Sequence, residues 1–177
     1  MNVLIINGGM PKGGRTEQIT RYIAYTYEFD YIDINSSGLP IMTGDPTQFQ
    51  MQQVVAFKDK VREADGVILI SPEYYAGMTG ALKNALDFLT SDQLAHKPVA
   101  LLATAGGGKG GINCLNNMRT VMRSFYANII PKQLVLDPHC FTDDGGLWDE
   151  PKRMVSDMVM ELRMYVEIAS QLKLNQH

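Results

Sequence analysis

The sequence holds few cysteines: two, Cys114 and Cys140, in 177 residues, with no Cys-x-x-Cys pair. That argues against a disulfide framework. With no signal peptide recognised, it sets the expectation of free thiols in a reducing cytoplasm. No apolar run approaches the ~20 residues that cross a bilayer. Excess positive charge is missing as well. A net charge of -3 and a pI near 5.6 argue against a nucleic-acid or polybasic membrane role, because phosphate backbones select clustered Lys and Arg. Repeats, low-complexity tracts and linkers are also absent, so the expectation is a single domain over 1–177.

What is present is an ordinary globular composition, 45% apolar and 20% charged, in a chain long enough to bury a core without metals or disulfides. Short β-branched runs at Val3 to Ile6, Tyr31 to Ile34, Val67 to Ile70, Val99 to Ala103 and Ile129 to Leu136 alternate with helix-period patterns. Thr16 is positioned to cap a helix through Ile19, Ile23 and Ala24. Phe49 to Ala64, Ala81 to Leu89, Leu115 to Met122 and Lys152 to Lys173 supply the other helices. Pro131 places the fifth strand at an edge or an irregular point. Five β-α units predict a three-layer α/β sandwich with a parallel sheet, and the flavodoxin-like strand order 2-1-3-4-5 fits them.

Three loops at strand ends carry the chemistry. Asn7 to Thr16 joins glycines to Lys12 and Arg15 ahead of a helix, a pattern suited to a phosphate on exposed N–H groups and a positive helix end. Gly9 to Thr16 also fits the P-loop spacing, except that Arg15 replaces the lysine. No strand ends in the acidic residue a nucleotide-bound magnesium needs, so a P-loop protein is the remote alternative. Ala105 to Gly111 holds five glycines, which let a flat ring approach the backbone. Pro72-Glu73-Tyr74-Tyr75-Ala76-Gly77 offers two aromatic rings and a carboxylate. Those rings either pack against an aromatic ligand or fill the loop base, and Glu73 either serves the site, caps the coming helix or faces water.

Together the loops resemble the NADPH-dependent FMN reductase family of flavodoxin-like proteins. Pro72-Glu73-Tyr74 and Leu82-Lys83-Asn84-Ala85-Leu86-Asp87 stand in register with its pattern, and the likeness runs over nearly the whole chain. Within that family it is most similar to the bacillus-type azobenzene reductases, through the segments SPEY-x-x-GM-x-GALKNALDFL and AGGGKGGIN-x-LNNMRTVMR. The resemblance implies bound FMN, with its phosphate at Gly9, Pro11, Lys12, Arg15 and Thr16. The isoalloxazine would lie against Pro72, Glu73, Tyr74, Tyr75, Ala76, Gly77, Gly106, Gly107 and Gly108. It implies NADPH as co-substrate, azo compounds or quinones as acceptors, no metal, no catalytic acid or base, and a homodimer or homotetramer. A free-flavin reductase or a flavodoxin-type carrier is the alternative. Two departures stand out: Gly9 and Pro11 replace the family's usual serine and arginine, and Tyr75 stands where Asn or His is typical.

Overall fold

The structure is a computed structural model that describes residues 1–107 and 110–174. Five strands, β1 (Val3–Asn7), β2 (Asp30–Asp33), β3 (Gly66–Pro72), β4 (Pro98–Thr104) and β5 (Asn128–Leu136), form one sheet. All its pairings are parallel, as the alternation predicts, and the order β2-β1-β3-β4-β5 is the flavodoxin-like one that fits the five units. The helices are α1 (Arg15–Tyr27), α2 (Gln52–Glu63), α3 (Gly80–Leu86), the short α4 (Ser91–Leu94), α5 (Ile112–Ser124) and α6 (Asp149–Leu174).

The period of two in a strand divides the core. Leu4, Ile6, Val67, Leu69, Val99 and Leu101 face Phe57 and Val61 of α2, Leu82 and Leu86 of α3, and Leu115 and Met118 of α5. Their neighbours Val3, Ile5, Ile68, Ile70, Ala100 and Leu102 face Ile19 and Ile23 of α1 and Val155, Met158 and Leu162 of α6. Helices thus cover both faces, which is why β1, β3 and β4 read as continuous apolar runs rather than alternating ones.

Pro131 does lie at an edge and at an irregularity. β5 borders the sheet, and its pairing jumps from Val99 opposite Ile129 to Leu101 opposite Gln133. The N–H of Lys132, displaced there, is taken up by Glu161 Oε1 of α6 at 3.0 Å.

Several boundaries differ from the sequence expectation. Thr16 does not cap α1; Gly14 does, in extended conformation and without a side-chain bond, and the Thr16 hydroxyl turns to β4 instead. The expected helix from Phe49 is broken at Met51, whose extended backbone separates a 3-10 turn, Pro46–Gln50, from α2. Ile34 leaves β2 for a 3-10 turn, and the last helix begins three residues earlier, at Asp149. Among the described residues no helix is long and apolar enough to cross a membrane, and no cluster of three or more His, Cys, Asp or Glu is placed to hold a metal.

Candidate functional site

Parallel strands emit their following loops at one edge of the sheet, and here β1, β3 and β4 send three loops to the same place. Between them lies a cleft of about 390 Å3 lined by Pro11, Gly13, Gly14, Arg15, Thr16, Gln18, Pro72, Glu73, Tyr74, Thr104, Ala105 and Gly106. Seven residues predicted from the sequence meet there: Pro11, Arg15, Thr16, Pro72, Glu73, Tyr74 and Gly106.

Four long-range side-chain bonds fix the loops to one another and to α5. Thr16 Oγ1 and Thr104 Oγ1 lie 2.9 Å apart and are buried, joining the start of α1 to the end of β4. Thr79, which caps α3 by accepting from the Leu82 N–H, donates its hydroxyl to the Gly8 carbonyl at 2.7 Å and ties the second loop to the first. Glu73 Oε2 accepts the Cys114 N–H at 2.8 Å and ties the second loop to α5. Asn117 of α5 adds a second tie by accepting from the Met78 N–H at 3.3 Å.

The first loop shows how donors are divided. Buried Asn7 accepts the Gly9 N–H at 2.9 Å, and Gly13 N–H is bonded to Glu17, so those amides are in use. That bond and Arg21 hold the Glu17 carboxyl below the usual carboxylate range. No side chain caps α1, and the side chains of Lys12 and Arg15 make no hydrogen bond or ion pair among the described residues. A first turn of free amides beside an unpaired guanidinium suits an anion. Gly9 has a steric explanation: a Cβ there would sit 2.7 Å from Thr16 Cβ, so a serine would collide with the residue that anchors β4.

The second loop turns back on itself. Tyr74 and Gly77 exchange two backbone hydrogen bonds around Tyr75 and Ala76, whose φ values are +46° and +64°. Two positive φ values in a row describe a type I′ turn, the geometry for which Asn-Gly is best suited. Tyr75 is 107% exposed at its tip and Tyr74 46%. Glu73 caps a helix, though not the one that follows it: its partner belongs to α5.

Other predicted residues lie elsewhere. Gly9 is buried behind the cleft, and Tyr75, Ala76, Gly77 and Gly107 do not line it. Gly108 lies outside the described residues. Lys12 faces a larger cavity of about 790 Å3 beyond the first loop, with Glu17, Arg21, Tyr31, Asp33 and Ser36, away from the β3 and β4 loops. Both cysteines are buried, and burial pushes the Cys114 thiol up to about 11, which removes it as a nucleophile. Five lining residues, Gly13, Gly14, Gln18, Thr104 and Ala105, were not among the predicted site residues. A hydroxyl residue ending an apolar strand before a glycine run was the available signal for Thr104. Asn84 of α3 is used internally: it accepts the Met42 N–H and donates to the Pro40 carbonyl, both at 2.8 Å.

Comparison with known proteins agrees with this arrangement. A family model described as NADPH-dependent FMN reductase matches residues 1–141. An NADPH azoreductase of Bacillus sp. (strain OY1-2) is 45% identical over 173 residues, covering 98% of this chain and 97% of the relative. A 2-hydroxy-1,4-benzoquinone reductase of Burkholderia sp. is 28% identical over 129 residues, 68% of this chain and 69% of that one. In fold, the flavoenzyme NAD(P)H:(acceptor) oxidoreductase FerB from Paracoccus denitrificans superposes with a TM-score of 0.75 at 19% identity, covering 96% and 97% of the two chains. The chain belongs to the NADPH-dependent FMN reductase family.

Proposed function

We propose that this protein is an FMN-dependent NADPH oxidoreductase whose acceptors are azo compounds, quinones or similar flat molecules. One observation carries the reading: the β1, β3 and β4 loops meet around a cleft with an uncapped helix start and an unpaired guanidinium at one end and exposed glycine backbone at the other.

The residues present fit FMN. Arg15, the Thr16 region and the first-turn amides of α1 hold the phosphate, with Pro11 beside them and Gly9 setting the loop's close packing. Pro72, Glu73, Tyr74 and Gly106, which line the cleft, border the ring. When bound, FMN supplies the capacity to take a hydride from NADPH and pass two electrons on. The chain's part is position and electrostatics. Thr16, Thr79 and Glu73 keep the three loops at fixed separation, and exposed loop amides offer hydrogen bonds to negative charge on the ring. Burial keeps the Cys114 thiol protonated, and the Glu73 carboxylate is held on α5, so neither serves as acid or base.

The same reading includes a homodimer or homotetramer. Met160, Met164, Ile168 and Leu172 recur every four residues along the outer side of α6 and are 46–58% exposed, an apolar stripe suited to a second copy. The free, buried cysteines support the cytoplasmic location that this reading includes. The purified protein should be yellow or take up FMN, and should oxidise NADPH when an azo dye or quinone is supplied. A flavodoxin-type carrier would bind FMN without that turnover.

A further inference from the structure

An α-helix normally satisfies its N3 amide with the side chain of its own N-cap residue. α5 cannot. Its N-cap is Gly111, with φ +94°, and a Cβ at that position would lie 2.5 Å from Val135 Cγ1. A capping Ser, Thr or Asp is therefore excluded by packing against β5. The N3 amide, that of Cys114, is met instead by Glu73 Oε2, 41 residues earlier in sequence and part of the cleft's lining. Glu73 is held for this role by its own backbone: its N–H bonds the Thr104 carbonyl at 2.9 Å, extending the β3–β4 pairing one residue past the strand. The carboxylate's other oxygen lies 3.6 Å from where a Gly110 Cβ would stand, so the side chain runs along the third loop.

The two helix starts near the cleft thus differ in their capping. That of α1 has no side-chain cap, its Glu17 carboxylate being engaged by the Gly13 N–H and Arg21; that of α5 is already covered by a carboxylate that lines the cleft. We propose that Glu73 is a positioning residue with an electrostatic function: it locks the second and third loops together, and its negative charge weakens the hold on reduced FMN relative to oxidised FMN. This rests on the reading of the cleft as the FMN site. Accepting a hydride adds one negative charge to the ring, and a carboxylate in a partly buried wall opposes that charge more strongly than it would in water. Reduced FMN is thereby made the stronger electron donor.

Two variants separate bond from charge. Glu73→Gln keeps an oxygen acceptor for the Cys114 N–H and loses the charge; Glu73→Asp keeps the charge and falls one methylene short. The experiment measures the FMN midpoint potential of the holoprotein by dye equilibration, together with amide exchange at the start of α5. Glu73→Gln should bind oxidised FMN as the native chain does, leave α5 exchange unchanged, and improve the reduced-to-oxidised affinity ratio about tenfold, which is about +30 mV for a two-electron couple. Glu73→Asp should leave that ratio within about twofold, while exchange at 112–115 rises about tenfold or more, the loss of roughly 1.4 kcal/mol of protection. A Glu73→Gln protein with the native potential, or one that no longer takes up FMN, overturns the proposal. A Glu73→Asp protein with native exchange overturns the lock. If the native chain itself takes up no FMN, it is the functional reading that fails, and the exchange experiment on the same chains still decides the lock.

Discussion

The hydroxyls of Thr16 and Thr104 meet at 2.9 Å across 88 residues of sequence, both buried, and join the helix start offered to an anion to the strand that leads into the glycine loop. Replacing either by Val leaves the other buried hydroxyl without this partner, a loss of about 1–3 kcal/mol. Replacing both removes the orphan. A double-mutant cycle by urea unfolding should give a coupling of about 1 kcal/mol, and the Thr16→Val/Thr104→Val chain should be no less stable than either single variant. Additive losses would show that the two hydroxyls do not depend on each other.

Tyr75 and Ala76 hold left-handed backbone in a turn that prefers Asn-Gly, at about 1–2 kcal/mol per non-glycine residue. Glycine returns some of that as unfolded-state entropy. The double change Tyr75→Asn/Ala76→Gly should therefore stabilise the apoprotein by about 1 kcal/mol and raise Tm by about 2–4 °C. Since Tyr75 is fully exposed at the turn tip, no packing is lost to offset this gain. Differential scanning calorimetry is the check, and an unchanged or lower Tm would contradict the strained turn.

Burial pushes the Cys114 thiol from 9.0 to about 11, with the Glu73 charge adding to the effect and a hydrogen bond to Ser71 opposing it. In the unfolded chain the thiol ionises near its ordinary value, so above pH 9 the unfolded state loses a proton that the folded state keeps. Stability from this group is full below pH 9 and declines as pH rises from 9 to 11. Cys114→Ala should flatten that decline in urea midpoints measured at pH 8 and pH 10. An equal slope in both proteins would place the alkaline loss elsewhere.

Arg15 lines the cleft with no partner among the described residues. Its loss should remove a charge-assisted bond worth about 1.5–3 kcal/mol, so Arg15→Ala should weaken FMN about ten- to a hundredfold in a fluorescence titration. Riboflavin, which lacks the phosphate, should bind both proteins equally. An equal loss for both flavins would move Arg15 away from the phosphate.

The strands and the three loops were legible because buried parallel strands write themselves as short apolar runs, and the three that carry the site are followed by Asn7-Gly8, Ser71-Pro72 and Thr104; the strand order was not written in any one run. The ties between the loops were not. Thr16 looked like a helix cap because capping is a local signal, whereas its bond to Thr104 exists only once β1 and β4 flank β3. Glu73 has the same history: nothing local connects it to Cys114, and only the packing of Gly111 on Val135 explains why α5 needs a cap from elsewhere. The helix break at Met51 was hidden because Phe49 fits the apolar period of α2 although it belongs to the preceding turn and packs edge-on against Phe88.

The most direct test of the account is an anaerobic titration of the purified chain with FMN, followed by NADPH, observed in the visible spectrum. One FMN should bind per chain and its visible band should bleach when NADPH is added. A chain that takes up no FMN, or that holds FMN whose band survives excess NADPH, would contradict it.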